Sequence, residues 1–76
     1  MTPYRNLHGN SNIVSYETTE DSIHVLFRSG THRNYLFNHL RPGKAAVDRM
    51  QALAAQGHGL NSYISTTIKS SFAQKW

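Results

Sequence analysis

At 76 residues the chain has room for one domain with a modest core, and with no cysteine it can hold that core with neither disulfides nor thiolate zinc sites. The net charge is +4, and it is unevenly spread: from Ser22 onward seven bases stand against Asp48 alone, a net +6, while Glu17, Glu20 and Asp21 crowd one short stretch. Such a field favours anionic partners, nucleic acid or acidic protein surfaces. No run approaches the ~20 apolar residues of a membrane span. The first six residues also lack the apolar core of a signal peptide, so a soluble, cytoplasmic protein is expected.

Residues 1–11 are polar and read as a flexible lead-in, with His8-Gly9-Asn10-Ser11 as a turn, leaving 12–76 as the single domain. Residues 12–17 (N-I-V-S-Y-E) form a short first strand, and a polar connection of hairpin length follows. Residues 22–37 then read as two β-prone runs about a Gly-containing turn. Ile23, Val25 and Phe27 alternate with polar neighbours, and Leu26 breaks the pattern. A three-residue loop 28–30 with Gly30 left-handed sets Phe27 opposite Thr31 and Ile23 opposite Tyr35, which brings Tyr35 and Phe37 onto the inner face. A two-residue Ser29-Gly30 turn would put both aromatics outside; the first register concentrates the apolar mass.

Pro42 suits a first helical turn, and strong helix formers run from Lys44 to Gln56, with Gly57 as the stop. Val47, Met50 and Ala54, with Ala46 and Leu53 alongside, make one apolar stripe that should cover the sheet. Beyond Gly57-His58-Gly59, apolar residues recur every fourth position: Leu60, Ile64, Ile68, Phe72 and Trp76. A short helical segment is expected from about Asn61, which is placed as its N-cap, although the β-branched residues of 64–68 favour a strand. Trp76 is either the last step of that stripe or an anchor for another subunit. The predicted fold is α+β: a three-stranded antiparallel meander packed against one main α-helix, with a short C-terminal helical segment.

Assembled in this order, residues 12–68 resemble the KTSC domain, a small bacterial module named for its occurrence at the C-terminus of some lysyl-tRNA synthetases. The resemblance rests on S-N-I at 11–13, Tyr16, the hairpin I-H-V-L-F-R-S-G, a Y-x-Y-like element, a Pro-initiated helix and a G-x-x-N-x-x-I-like element at 59–64. Tyr35-Leu36-Phe37 fits Y-x-Y with Phe for the second Tyr, while an ungapped reading from Gly30 places Arg33-Asn34-Tyr35 there. The last element has one residue fewer than some members between Gly and Asn, unless Gly57 or His58 supplies the alignment. The resemblance implies a binding module with no catalytic residues to carry over, RNA as a proposed ligand, and Tyr35, Phe37 and Asn61 as family-marking positions.

The residues themselves admit the same reading beside a plainer one, in which the bases are solvated surface charges and Tyr35 and Phe37 are core. Sheet aromatics stack bases while Arg and Lys meet phosphates in single-strand RNA platforms. Arg28, Arg33, Tyr35, Arg41, Lys44 and Lys69 are the candidate nucleic-acid contacts, with Tyr35 and Phe37 also wanted by the core. The five histidines show no metal-ligand spacing, and His24 and His32 would merely lie diagonally on the outer sheet face. No nucleophile elbow, phosphate loop or carboxylate–histidine pairing is present. The expectation is a non-enzymatic binding module without cofactor or metal, with RNA as its ligand; the alternative is protein association or homodimerisation.

Overall fold

The computed structural model describes residues 1–7, 9 and 11–76; His8 and Asn10, two positions of the expected turn, lie outside the described residues. The elements in chain order are β1 (Thr2–Pro3), β2 (Ile13–Thr18), β3 (Ser22–Phe27), β4 (Asn34–Asn38), α1 (Lys44–Gln56), α2 (Leu60–Tyr63), a π-helical turn (Ile64–Ile68) and β5 (Gln74–Lys75). The strands form one antiparallel sheet in the order β1-β2-β3-β4-β5. The expected three-stranded meander is therefore a correction. The class remains α+β, but the sheet has five strands and carries two helices, one long and one short.

Both unexpected strands are two residues long and come from the ends of the chain. β1 lies inside the stretch read as a lead-in, pairing Thr2 with Tyr16 and Pro3 with Ser15 at an edge, where a missing N–H costs least. The next residue, Tyr4, is buried in the core and its hydroxyl accepts the Leu60 N–H at 3.4 Å. Arg5 reaches the Ala55 carbonyl and the Leu7 N–H bonds Gly57 at 2.8 Å, so the N-terminal residues strap the end of α1.

The inner face of the sheet follows the sequence with one local device. Ile13 and Tyr16 stand an odd number of residues apart, and a regular strand would send them to opposite faces. The register shifts between Ile13 and Ser15, and this bulge at Val14 lets both join the core side. Across the next hairpin the faces are as expected but the register is not. Ile23 pairs with Phe37 and Val25 with Tyr35, two residues further along than predicted. The Phe27 N–H closes on the Arg33 carbonyl at 2.8 Å, so residues 28–32 form a five-residue loop. Gly30 adopts φ 120° rather than the left-handed helical value, and the Arg28 N–H turns to the carbonyl of Asn12, just ahead of β2, at 2.7 Å. The predicted register would set Phe37 against Asp21, past the end of β3. The observed one seats Phe37 against Ile23, and an even slip leaves every side chain on its own face.

α1 occupies its predicted span. Val47, Met50, Leu53 and Ala54 are buried against Ile23, Val25 and Phe37, burial worth about 1.5–3 kcal/mol for each of the large side chains before entropy. Gly57 ends the helix in the left-handed conformation, its N–H shared between the Leu53 and Ala54 carbonyls. Gln51, on the flank of the stripe, ties the helix to the β2–β3 turn by donating to the Thr19 and Ser22 carbonyls at 3.0 and 2.8 Å. The start is a correction: Pro42 follows a cis peptide bond and stands ahead of the helix, whose N-cap is Gly43. Asn38 holds that turn, its side-chain oxygen accepting the N–H groups of Leu40 and Arg41.

The four-residue stripe of the C-terminal segment resolves in a different way. Leu60, Ile64 and Ile68 are buried, yet steps of four drift about 40° each around an α-helix. After one α-turn the chain widens into the π-helical turn, closed by the Lys69 N–H on the Ile64 carbonyl at 2.5 Å, and the wider turn keeps Ile64 and Ile68 on one side. Asn61 is not the N-cap; Gly59 is, in the left-handed conformation. The stripe then ends. Phe72 packs beside the core, and β5 pairs Gln74 with Leu36 and Lys75 with Tyr35. Among the described residues no helix is long and apolar enough to cross a membrane.

Candidate functional site

A groove of about 420 Å³ opens where the 28–33 loop faces the α2–π segment. Its apolar part is Phe27, Tyr35 and Ile64. Tyr35 is half-buried, and three rings fix it: Phe27 and Phe72 meet it edge-on, each at 5.2 Å, and Phe37 stacks beside it at 6.4 Å. The polar lining comes from three elements: Asn12, the loop residues Ser29, Thr31 and His32, and Asn61 with Ser65 one turn later. Lys69 and Lys75 complete it. None of the four acidic residues of the chain contributes to the lining, so the groove favours anions.

The two lysines reach the groove by different routes. Lys75 stands opposite Tyr35 on β5, and its ammonium lies 5.2 Å from the centre of the Phe72 ring, a cation–π contact that holds the charge at the rim. Lys69 closes the π-helical turn with φ 55° and ψ −116°, a backbone conformation that side-chain-bearing residues rarely take. Strain of that kind costs of order 1–3 kcal/mol and persists only where the surroundings impose it.

The predicted contact residues divide between two ends of β4. Tyr35 and Lys69 line the groove, and Arg28 and Arg33 are exposed on the loop that forms one of its walls. Arg41 and Lys44 lie beyond the opposite end of β4, with Lys44 engaged by Asp48 at 2.7 Å. The six thus form no single surface. Of the three positions singled out by the resemblance to the KTSC pattern, Tyr35 and Asn61 line the groove, whereas Phe37 is fully buried. Arg33 is exposed just ahead of β4, and its carbonyl accepts the Phe27 N–H.

Lys75, Asn12 and Ser65 escaped the sequence reading. No local signal marks Lys75, since its position depends on the tail returning to the sheet. The expected diagonal of His24 and His32 does not form: His32 belongs to the loop, and His24 bonds Asn34 Oδ1 at 2.9 Å on the outer face. His8 lies outside the described residues, and among the described residues no three His, Asp or Glu side chains gather as metal ligands. Trp76 leaves the stripe. Its N–H bonds the Asn34 carbonyl at 2.9 Å and its ring lies against His24 at 5.0 Å, 49% exposed on the outer sheet face. No family model, no curated protein and no solved structure matches the chain.

Proposed function

We propose that this chain is a non-enzymatic, cytoplasmic RNA-binding module of the KTSC kind, taking single-stranded RNA at the groove beside Tyr35. One observation carries the reading: a fixed, half-buried aromatic ring and two lysines share one concave surface free of carboxylates. Stacking on Tyr35 would hold a base without regard to sequence, Lys69 and Lys75 would meet phosphates, and Arg28 and Arg33 would extend the contact along the loop.

Fluorescence polarisation with labelled single-stranded oligonucleotides tests it. With about four phosphate contacts, log affinity should fall against log salt with a slope near −3. Lys69→Ala should weaken binding and flatten that slope by about 0.7, while Arg41→Ala, on the far end of β4, should leave both nearly unchanged. An absence of binding at low salt removes the proposal.

A second reading rests on a different surface. The outer face of the sheet carries Leu26 and Leu36, both half-buried, and the half-exposed Trp76, while the buried residues of the two helices cluster with the inner face; this suits protein association or self-association. Light scattering across concentration should then detect a dimer weakened by Leu26→Asp. A monomer at high concentration ends the self-association form of this reading.

A further inference from the structure

Asn61 occupies a position that neither the helix nor the core requires. Its backbone carbonyl accepts a hydrogen bond from Ser65 Oγ at 3.0 Å, but its side-chain amide has no hydrogen-bond partner among the described residues. It is half-buried and borders both the main groove and a smaller hollow of about 130 Å³ beside Tyr4. A carboxamide offers one donor and one acceptor side by side. Asparagine is also a poor helix former, so its presence within α2 gains nothing for the helix.

Three constraints on an occupant converge. The groove's volume of about 420 Å³ is that of one nucleotide-sized ligand, so a bound strand would seat a single nucleotide there. The Phe27–Tyr35 ring pair favours a flat aromatic group, and a purine offers the larger face. Lys69 and Lys75 call for an anionic end. Adenine presents a donor at N6 and an acceptor at N7 that match a carboxamide pairwise, whereas guanine presents two acceptors along the same edge.

We infer that the groove is a one-nucleotide site that prefers adenine, with Tyr35 against the base, Asn61 on its N6–N7 edge and Lys69 with Lys75 on the phosphate. This deepens the RNA reading and rests on it.

The test is a two-dimensional amide NMR titration of the full chain with AMP, GMP, CMP and UMP, alongside polarisation with oligo-A, oligo-U and oligo-C. AMP should shift the Asn61 side-chain amide and backbone signals of 28–33 and 60–69, and should bind about fivefold or more tighter than CMP or UMP. Asn61→Asp keeps the shape and replaces the donor with a charge; it should erase the preference with the amide spectrum otherwise folded. Lys69→Gln should weaken all four nucleotides alike. Equal binding of the four, or AMP shifts confined to other surfaces, overturns the adenine site while RNA binding stands. Oligonucleotide binding without any response to AMP overturns the one-nucleotide site. Failure of both nucleotides and oligonucleotides overturns this inference and the RNA reading together.

Discussion

Two stretches of this molecule bury apolar stripes against the same sheet and do so by different geometry. In α1, Val47, Met50, Leu53 and Ala54 fall at steps of three and four that sum to whole turns, and the helix runs its length as a regular α-helix. In the C-terminal arm, Leu60, Ile64 and Ile68 fall at steps of four only, and the chain passes from an α-turn to a π-helical turn within nine residues. A stripe in step with the α-helix leaves the backbone relaxed. A stripe out of step is buried by changing the helix, and the distortion is discharged at the next residue, Lys69, in a strained conformation at the groove. The regular region buries the larger part of the core, and the irregular one forms a wall of the groove proposed to bind RNA; π-turns are often found at such places.

The largest effect that would break this comparison lies under α1. Phe37→Ala should cost about 3–5 kcal/mol in chemical denaturation, because the ring is fully enclosed by helix and sheet. A loss under about 1 kcal/mol would mean that the seam is not where the stability resides. Next come the two glycines that separate the regions, both at φ 84°. A methyl group on Gly57 would lie 2.9 Å from Arg5 Cβ, while one on Gly59 would meet Leu53 at 3.4 Å. Gly57→Ala should therefore destabilise by about 2–3 kcal/mol and Gly59→Ala by roughly 1 kcal/mol less. Equal costs would show that the N-terminal strap does not press on that point.

Lys69→Gly sharpens the comparison from the other side. Releasing the backbone strain should raise stability by about 1 kcal/mol, after the entropy that glycine adds to the unfolded chain, while the RNA affinity proposed for the groove should fall. A variant both less stable and fully able to bind would refute the link between strain and site. The smallest effect belongs to the exposed Lys44–Asp48 pair one turn apart on α1. Asp48→Ala should change stability by no more than about 0.5 kcal/mol, measurable as a small shift in the denaturation midpoint that fades with added salt.

Much of the interior is legible in the residues themselves. The alternation through Ile23, Val25 and Phe27, the helical spacing from Val47 to Ala54 and the stop at Gly57 are enforced by side-chain direction and allowed φ within a few residues, so they hold in any context that gives them a partner. Tyr35 and Asn61 line one groove, while Phe37 is enclosed in the core, and nothing local in the residues separates these placements. The hairpin shows the limit of such reading: period two fixes the face of each strand residue, but a slip of two is invisible to it. That slip carried His32 into the loop and left Arg33 at its close, just ahead of β4.

What the sequence determined by itself was the set of interior faces and the span of the main helix, because each is written in a repeat that the chain senses locally. The tertiary structure alone decided that Thr2–Pro3 and Gln74–Lys75 become strands, that the hairpin locks at Ile23 against Phe37, and that Lys75 and Lys69 line one groove with Tyr35. Two-residue strands carry no repeat of their own. The open backbone donors and acceptors along β2 and β4 recruit them, and those edges exist only after the sheet has formed.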